Sequence, residues 1–519
     1  MGNVFFSGAG TGVISIVSGL PPSICTELSE VREGNQVTLK WKDPNDTIID
    51  GQVVCSWSHT VIVRKRGGYP KHESDGDIML VNNVRNAYNL TGFTDELPDD
   101  LEKYYYRAFP ISANGVVNLD ALNKFGVEMY EFIINPDDSN PNTCVTYTGK
   151  NENYTPAKMN YSSGLFEYGS WQNAFFMDLF KPCMLKSNGE VDYYLNPNDY
   201  SKKEDGTDSD VADSDYDGNA MVEIGQIWIS EKLYNGKYYI KIANGKITDD
   251  FDCYTHTKAD GTLASKIYRS IYDGSLVNNK VRSISGLPVC NKQTGNNQIT
   301  YAKANGTGWN IDEYSVRRLI NYLLVMISKS LNTQEKFGNG VHSGYVSEAQ
   351  TGQVVAGTLD DKGMFWGSNA NNNAVKIFHI ENWWGNIWKL TNGLFANYGK
   401  LFYKMCVGTS DGSTVADYNT NGNGYIDSGV TVPSASWTYI KKMKLIPGLG
   451  LIPTEVNGSA TTNYCDGMWT NPSATTLFAR FGGASNNGAV CGAFCCSLNF
   501  YLSNSHWYYG VSLSYKSAS

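Results

Sequence analysis

The sequence predicts a mainly β protein whose C-terminal part is α+β, and three observations carry that expectation. Charged residues make up only 18% of the chain and aromatics 13%, with 52 glycines among 519 residues, a profile of short strands and many turns. Alternating apolar residues recur in short runs through the first 140 positions and again between about 220 and 290. A single stretch, 312–331, carries clear helical periodicity. The length implies two to four domains.

Residues 1–22 are Gly/Ser-rich and end at Pro21-Pro22, which reads as an attachment segment. Its apolar run Val13–Val17 has no basic leader or cleavage site, so no signal peptide is read. From 23 to 136 the pattern is of short strands. QVTLKWKDP (Gln36–Pro44) sets Val37, Leu39 and Trp41 on one face, and Thr60–Lys65, Asp75–Val81 and Tyr104–Pro110 follow. That spacing argues for an immunoglobulin-type sandwich, with Trp41 and Trp57 in its core and Tyr104 or Tyr106 as a candidate tyrosine corner. The segment resembles the fibronectin-III-like modules of phage tail proteins, which implies a spacer.

The cluster Asn135-Pro136-Asp137-Asp138 marks a boundary, and 137–300 follows as a β-rich region. Met221–Ser230 and Lys237–Ala243 read as a pair of strands, with Ser265–Gly274 and Val281–Pro288 after them. In Asp312–Leu331, Val316, Leu319, Ile320, Leu323, Leu324 and Ile327 share one face, and Asp312 is the expected N-cap. Then comes HIENWWGNIWKL (His379–Leu390). Its Gly385-Asn386-Ile387-Trp388 resembles the core motif of the formylglycine-generating-enzyme type of C-type-lectin fold. The resemblance makes 301–519 a C-type-lectin-like core, with 137–300 as its front part, and Trp383, Trp384 and Trp388 inside it.

The last stretch, 478–515, interleaves small residues with unrelated bulky ones. Gly482-Gly483, Gly488, Gly492, Ser503-Asn504-Ser505 and Gly510 form a framework around Val490, Cys491, Cys495, Cys496, Phe500, Tyr501, His506, Tyr508 and Tyr509. Such a mixture suits display, because Tyr gives stiff contact area while Ser, Gly and Asn adapt around it. The stretch resembles the variable region of target proteins of diversity-generating retroelements, through Gly482–Gly488, Phe494, Leu498-Asn499, Ser503–Ser505, Gly510 and Leu513. In that family template adenines are randomised, and an AAC codon so changed reaches Tyr, Phe, Cys, His, Ser, Ala or Val but never Trp, Lys or Met. All nine bulky residues fall in the permitted set, whereas Trp507 reads as scaffold. The resemblance implies ligand contact through these nine and Ala484. It further implies a receptor-binding protein of a phage tail fibre, made in the host cytoplasm, trimeric, and attaching the virion to a protein or glycan on a bacterial surface.

Other readings stand beside it. One alternative is an ordinary C-terminal hairpin with its aromatics in the core, and another is a tail structural protein whose C-terminus packs against another virion subunit. Kinship with formylglycine-generating enzymes raises copper-dependent oxidation, with Cys491 and Cys496 as paired soft ligands. Counted from Gly482-Gly483, however, that family's cysteine positions fall on Asn487 and Gly492, so no enzyme is expected. Asp213, Asp215 and Asp217 match the start of a calcium loop, but position twelve is Ile224, and the run reads as a solvated loop. Asp417–Gly422 is a poorer match. No cofactor is expected. Eleven cysteines without a CxxC read as free thiols, and a net charge of −9 argues against nucleic acid. No run of 18 apolar residues is present, so no membrane insertion is expected.

Overall fold

Alternation in the first strands does what the sequence requires of it. Val37, Leu39 and Trp41 are fully buried on one face of a strand whose other positions stay accessible. The computed structural model describes residues 19–98, 104–258, 260–343, 357, 359–405 and 424–517. The chain divides into two units, Met1–Glu128 and Met129–Ser519.

The first unit contains strands β1 (Thr26–Glu33), β2 (Gln36–Lys42), β3 (Thr47–Ile49), β4 (Gln52–Cys55), β5 (Trp57–Arg66), β6 (Asp77–Asn82), β7 (Phe93–Glu96) and β8 (Tyr104–Ser112). They form two three-stranded antiparallel sheets, β1-β2-β7 and β6-β5-β8, and a hairpin β3-β4. Trp41, Ile62, Tyr106 and Ala108 share one core, so the two sheets face each other. Asp43 is buried at the edge of this core and accepts from Trp41 Nε1 (2.9 Å), Thr60 Oγ1 (2.6 Å) and Asn82 Nδ2 (3.1 Å). Those donors make a buried carboxylate tolerable. Tyr106 departs from the tyrosine-corner expectation: its hydroxyl donates to the Asp95 carboxylate at 2.5 Å instead of bonding nearby backbone. Arg64 reaches the same carboxylate at 3.0 Å.

The second unit begins with Met129–Ile134, which pairs with Val145–Thr148 and Lys237–Ala243 in a five-stranded sheet. The Pro/Asn/Asp cluster at 135–138 is therefore a turn inside this unit, and the boundary expected at 136 moves back to 128/129. Nor does the chain divide near 300. Lys266–Ser270 pairs with Leu513–Tyr515, which also pairs with Trp309–Glu313, in a sixteen-stranded sheet. Met221–Ser230 is two strands. Asn219–Gly225 lies in the large sheet and Trp228–Tyr234 in the smaller one, with the chain crossing at Gln226-Ile227.

A helix, Tyr314–Ser328, is buried at every position, which its apolar stripe alone does not explain. Its polar residues have partners. Arg318 pairs with Glu231 (3.0 Å) and Asp252 (2.7 Å), and Asn321 donates to the Ala493 carbonyl (2.9 Å). Asp312 is not its N-cap. It lies in the preceding strand, where its buried carboxylate meets Arg317 (3.2 Å) and Arg269 (3.7 Å), and both cations stack on Trp383. Trp383, Trp384 and Trp388 are all in the interior. Gly385 (φ +76°) is required there, because a Cβ would lie 2.8 Å from the backbone of Val341.

Candidate recognition surface

The ribbon Leu477–Phe481 and Cys496–Phe500 carries the end of the chain across the large sheet, and its side chains alternate between two environments. Phe481 and Cys496, opposite one another, look toward the central helix. With Tyr314, Met468, Phe494 and Leu498 they line a cavity of about 40 Å³. Arg480 and Ser497, also opposite one another, point the other way.

On that other side Trp388, Ala484, Cys495, Phe500 and Tyr509 form a small core of their own, with Trp437, Trp469 and Tyr508 half-buried against it. The rings make an unbroken ladder. Trp388 meets Trp437 at 5.7 Å between centroids, Trp437 meets Trp469 at 4.6 Å, and Trp469 meets Phe500 at 5.5 Å. Phe500 meets Tyr509 at 4.6 Å, Tyr509 meets Tyr508 at 4.9 Å, and Tyr508 stacks on His506 at 4.1 Å. Each such contact contributes about 0.5–1.5 kcal/mol beyond area burial. The ladder starts at a fully buried tryptophan and ends at an exposed histidine. Trp437 has φ +51°, a left-handed conformation unusual for so large a residue, at a register shift in the strand Ala435–Ile446. From Gly467 to Tyr515, Arg480 is the sole Asp, Glu, Lys or Arg.

The structure divides the ten sequence-predicted contact residues. Tyr501 (43% exposed), His506 and half-buried Tyr508 reach solvent. Ala484, Val490, Cys491, Cys495, Cys496, Phe500 and Tyr509, also expected as ligand contacts, are buried. The reasons are local. Val490 fills the space left by Gly467, whose Cβ would lie 2.6 Å away, and Cys491 Sγ donates to the Ala484 carbonyl at 3.5 Å. Phe500 is wedged between Trp469 and Tyr509. Trp437 and Trp469, which sequence reasoning missed, extend the accessible rings. Their signal was present, since 431–440 and 467–479 are uncharged segments around a lone Trp.

The framework residues hold the loops. Asn504 accepts from Tyr501 N (2.8 Å), Lys292 N donates to the His506 carbonyl (2.9 Å), and Asn487 accepts from Ala484 N (2.8 Å). Gly492 passes so close to Asp466 that a Cβ would overlap its carboxylate at 1.8 Å. Asp466 in turn accepts from Phe494 N at 2.7 Å. Burial raises the Asp466 carboxyl from 3.8 to about 7, so it is protonated in the folded chain where the unfolded chain has already ionised. Its contribution is full below about pH 4 and is lost as pH rises to about 7, on the order of 4 kcal/mol across that window. Asp466→Asn, which keeps an acceptor for Phe494, is expected to flatten this slope. Thermal melts at pH 5 and pH 8 check it: the variant gains more on the wild type at pH 8 than at pH 5.

Catalytic and metal readings fare differently. Cys491 neighbours Cys495, and Cys496 lines the cavity. Burial pushes the Cys496 thiol up to about 12 and Cys495 well above its ordinary value, so neither is an available thiolate. The ten described cysteines are free and buried, while Cys406 lies outside the described residues. In the acidic run, Asp213 accepts from Asp215 N (2.8 Å) and Asp217 from Ser187 Oγ (2.7 Å), while Arg282 donates to the carbonyls of Tyr216 and Gly218. Among the described residues no three His, Cys, Asp or Glu side chains converge as a metal site. Asp417–Gly422, like residues 1–18 of the attachment segment, lies outside the described residues. No described helix is long and apolar enough to cross a membrane. The chain matches no family model and no curated protein.

Proposed function

We propose that this chain is a receptor-binding protein of a phage tail fibre and that it attaches through the outer end of the aromatic ladder. The carrying observation is that continuous run of rings, from buried Trp388 to exposed His506, on an almost uncharged segment. A packed support under accessible aromatics is the arrangement of binding hot spots. The strand orders β1-β2-β7 and β6-β5-β8 support a fibronectin-III-like spacer in the first unit. The buried Gly385–Trp388 motif and the terminal strand paired inside the large sheet support a C-type-lectin-like second unit. A trimer would give avidity to a modest single site.

The rival reading, a tail structural protein, is favoured by the burial of seven of the ten contact candidates. Deep sequencing of the DNA coding for 460–519 across a propagated population separates the two. Substitutions confined to adenine-derived codons, concentrated at the accessible positions 501, 506 and 508, are expected. An invariant segment would remove the diversification claim and return these side chains to packing.

A further inference from the structure

Arg480 is a buried arginine without an acid. Elsewhere in the described chain, Arg64 pairs with Asp95, Arg269 and Arg317 with Asp312, and Arg318 with Glu231 and Asp252. Arg107 and Arg282 instead donate to backbone carbonyls. Arg480 has two long contacts from Nη1, to Gln298 Oε1 and the Gly510 carbonyl, both 3.4 Å, and its Nε and Nη2 have no partner. The guanidinium lies 4.2 Å from the centroid of the Tyr509 ring, directly beneath the aromatic surface.

Two further buried donors without partners lie around it. Ser497 is the cross-strand neighbour of Arg480, and its Oγ is unbonded. Trp388, whose Nε1 is unbonded, pairs in register with Tyr509. Buried polar groups are almost always satisfied, and a buried cation without a counter-charge is strongly unfavourable. A cation–π contact offsets part of that cost but leaves the fork of donors unused. Burial draws the guanidinium down to about 10, in keeping with a site short of negative charge. The nearest acid along the chain, Asp466, is engaged with Phe494 N and Gln334.

We propose that Arg480 is an anion-binding site under the Tyr509 ring and that it takes a carboxylate or phosphate borne by the receptor. The inference rests on the adhesion reading above. Seating the anion requires the Tyr509 ring, on a two-residue strand, to turn off the guanidinium. Two N–H groups of Arg480 then bind one anion, with Ser497 Oγ beside them.

The test uses the full chain with inorganic phosphate and glucuronate as probes, and glucose as the uncharged control. Saturable stabilisation by both anions and not by glucose is expected, with melting raised by about 3 °C or more at a hundredfold excess over Kd. Arg480→Gln removes that response, and the same anions compete with the wild-type chain for cell attachment. Absence of a saturable response overturns the site. A thermal response without competition, with Arg480→Gln attaching like the wild type, assigns the site to a free inorganic anion and overturns the receptor claim. Should Arg480→Gln fail to fold, the wild-type competition decides. Failure of the wild type to attach to any cell sinks the adhesion reading, and with it the receptor-borne anion, while the melts still decide the anion site.

Discussion

Ending the chain at Gly510 is expected to abolish folding of the second unit while the first unit still melts cooperatively. The strand Leu513–Tyr515 lies between Lys266–Ser270 and Trp309–Glu313, hydrogen-bonded to both. Its loss exposes the sites of Val511, Leu513 and Tyr515, all buried. Each such side chain contributes about 1.5–3 kcal/mol. It also strips partners from buried groups. Arg269 Nη2 loses Ser512 Oγ (2.9 Å), the Ile311 carbonyl loses Ser514 Oγ (2.6 Å), and Glu313 loses Lys516 Nζ (2.9 Å). At about 1–3 kcal/mol for each group left unsatisfied, the sum is on the order of 10 kcal/mol, comparable with the whole stability of a domain. Calorimetry of the truncated chain checks this. One transition is expected to vanish and one to remain, because the first unit has its own core around Trp41. Two preserved transitions would mean that the terminal strand is dispensable.

Legibility followed the range of the interactions. Period-two alternation located β2, because a strand with one buried face writes that face into every second residue, whereas β8 was legible as an apolar and aromatic run buried at nearly every position. Helical periodicity located Tyr314–Ser328 through its apolar stripe, although the helix is buried on every side. Asp312 misled because an acid before an apolar run is a cap signal, and nothing local reveals partners as distant in sequence as Arg269. The turn at 135–138 misled in the same way, since a linker and a hairpin turn share their composition. In the recognition segment the framework residues were legible and their exposure was not. Tyr508 and Tyr509 are adjacent and chemically identical, yet Tyr509 lies over Arg480 while Tyr508 stacks on His506. Both take part in the backbone pairing with Trp388, and only the directions of their side chains separate them.

That separation gives the second large effect. Replacing Tyr501, His506 and Tyr508 together by Ala removes the accessible end of the ladder and leaves Trp388, Phe500 and Tyr509 in place. Stability is expected to fall by no more than about 1–2 kcal/mol, since Tyr501 and His506 are exposed and Tyr508 contributes mainly ring contacts. Phe500→Ala should instead cost about 3–5 kcal/mol through cavity formation, with attachment lost only as folding is lost. The most direct measurement is therefore attachment of the purified full-length triple variant to host cells, read beside its thermal melt. The account expects attachment at least about 100-fold weaker, two hot-spot losses or more, with the melt nearly unchanged. Wild-type attachment by a folded triple variant would contradict it.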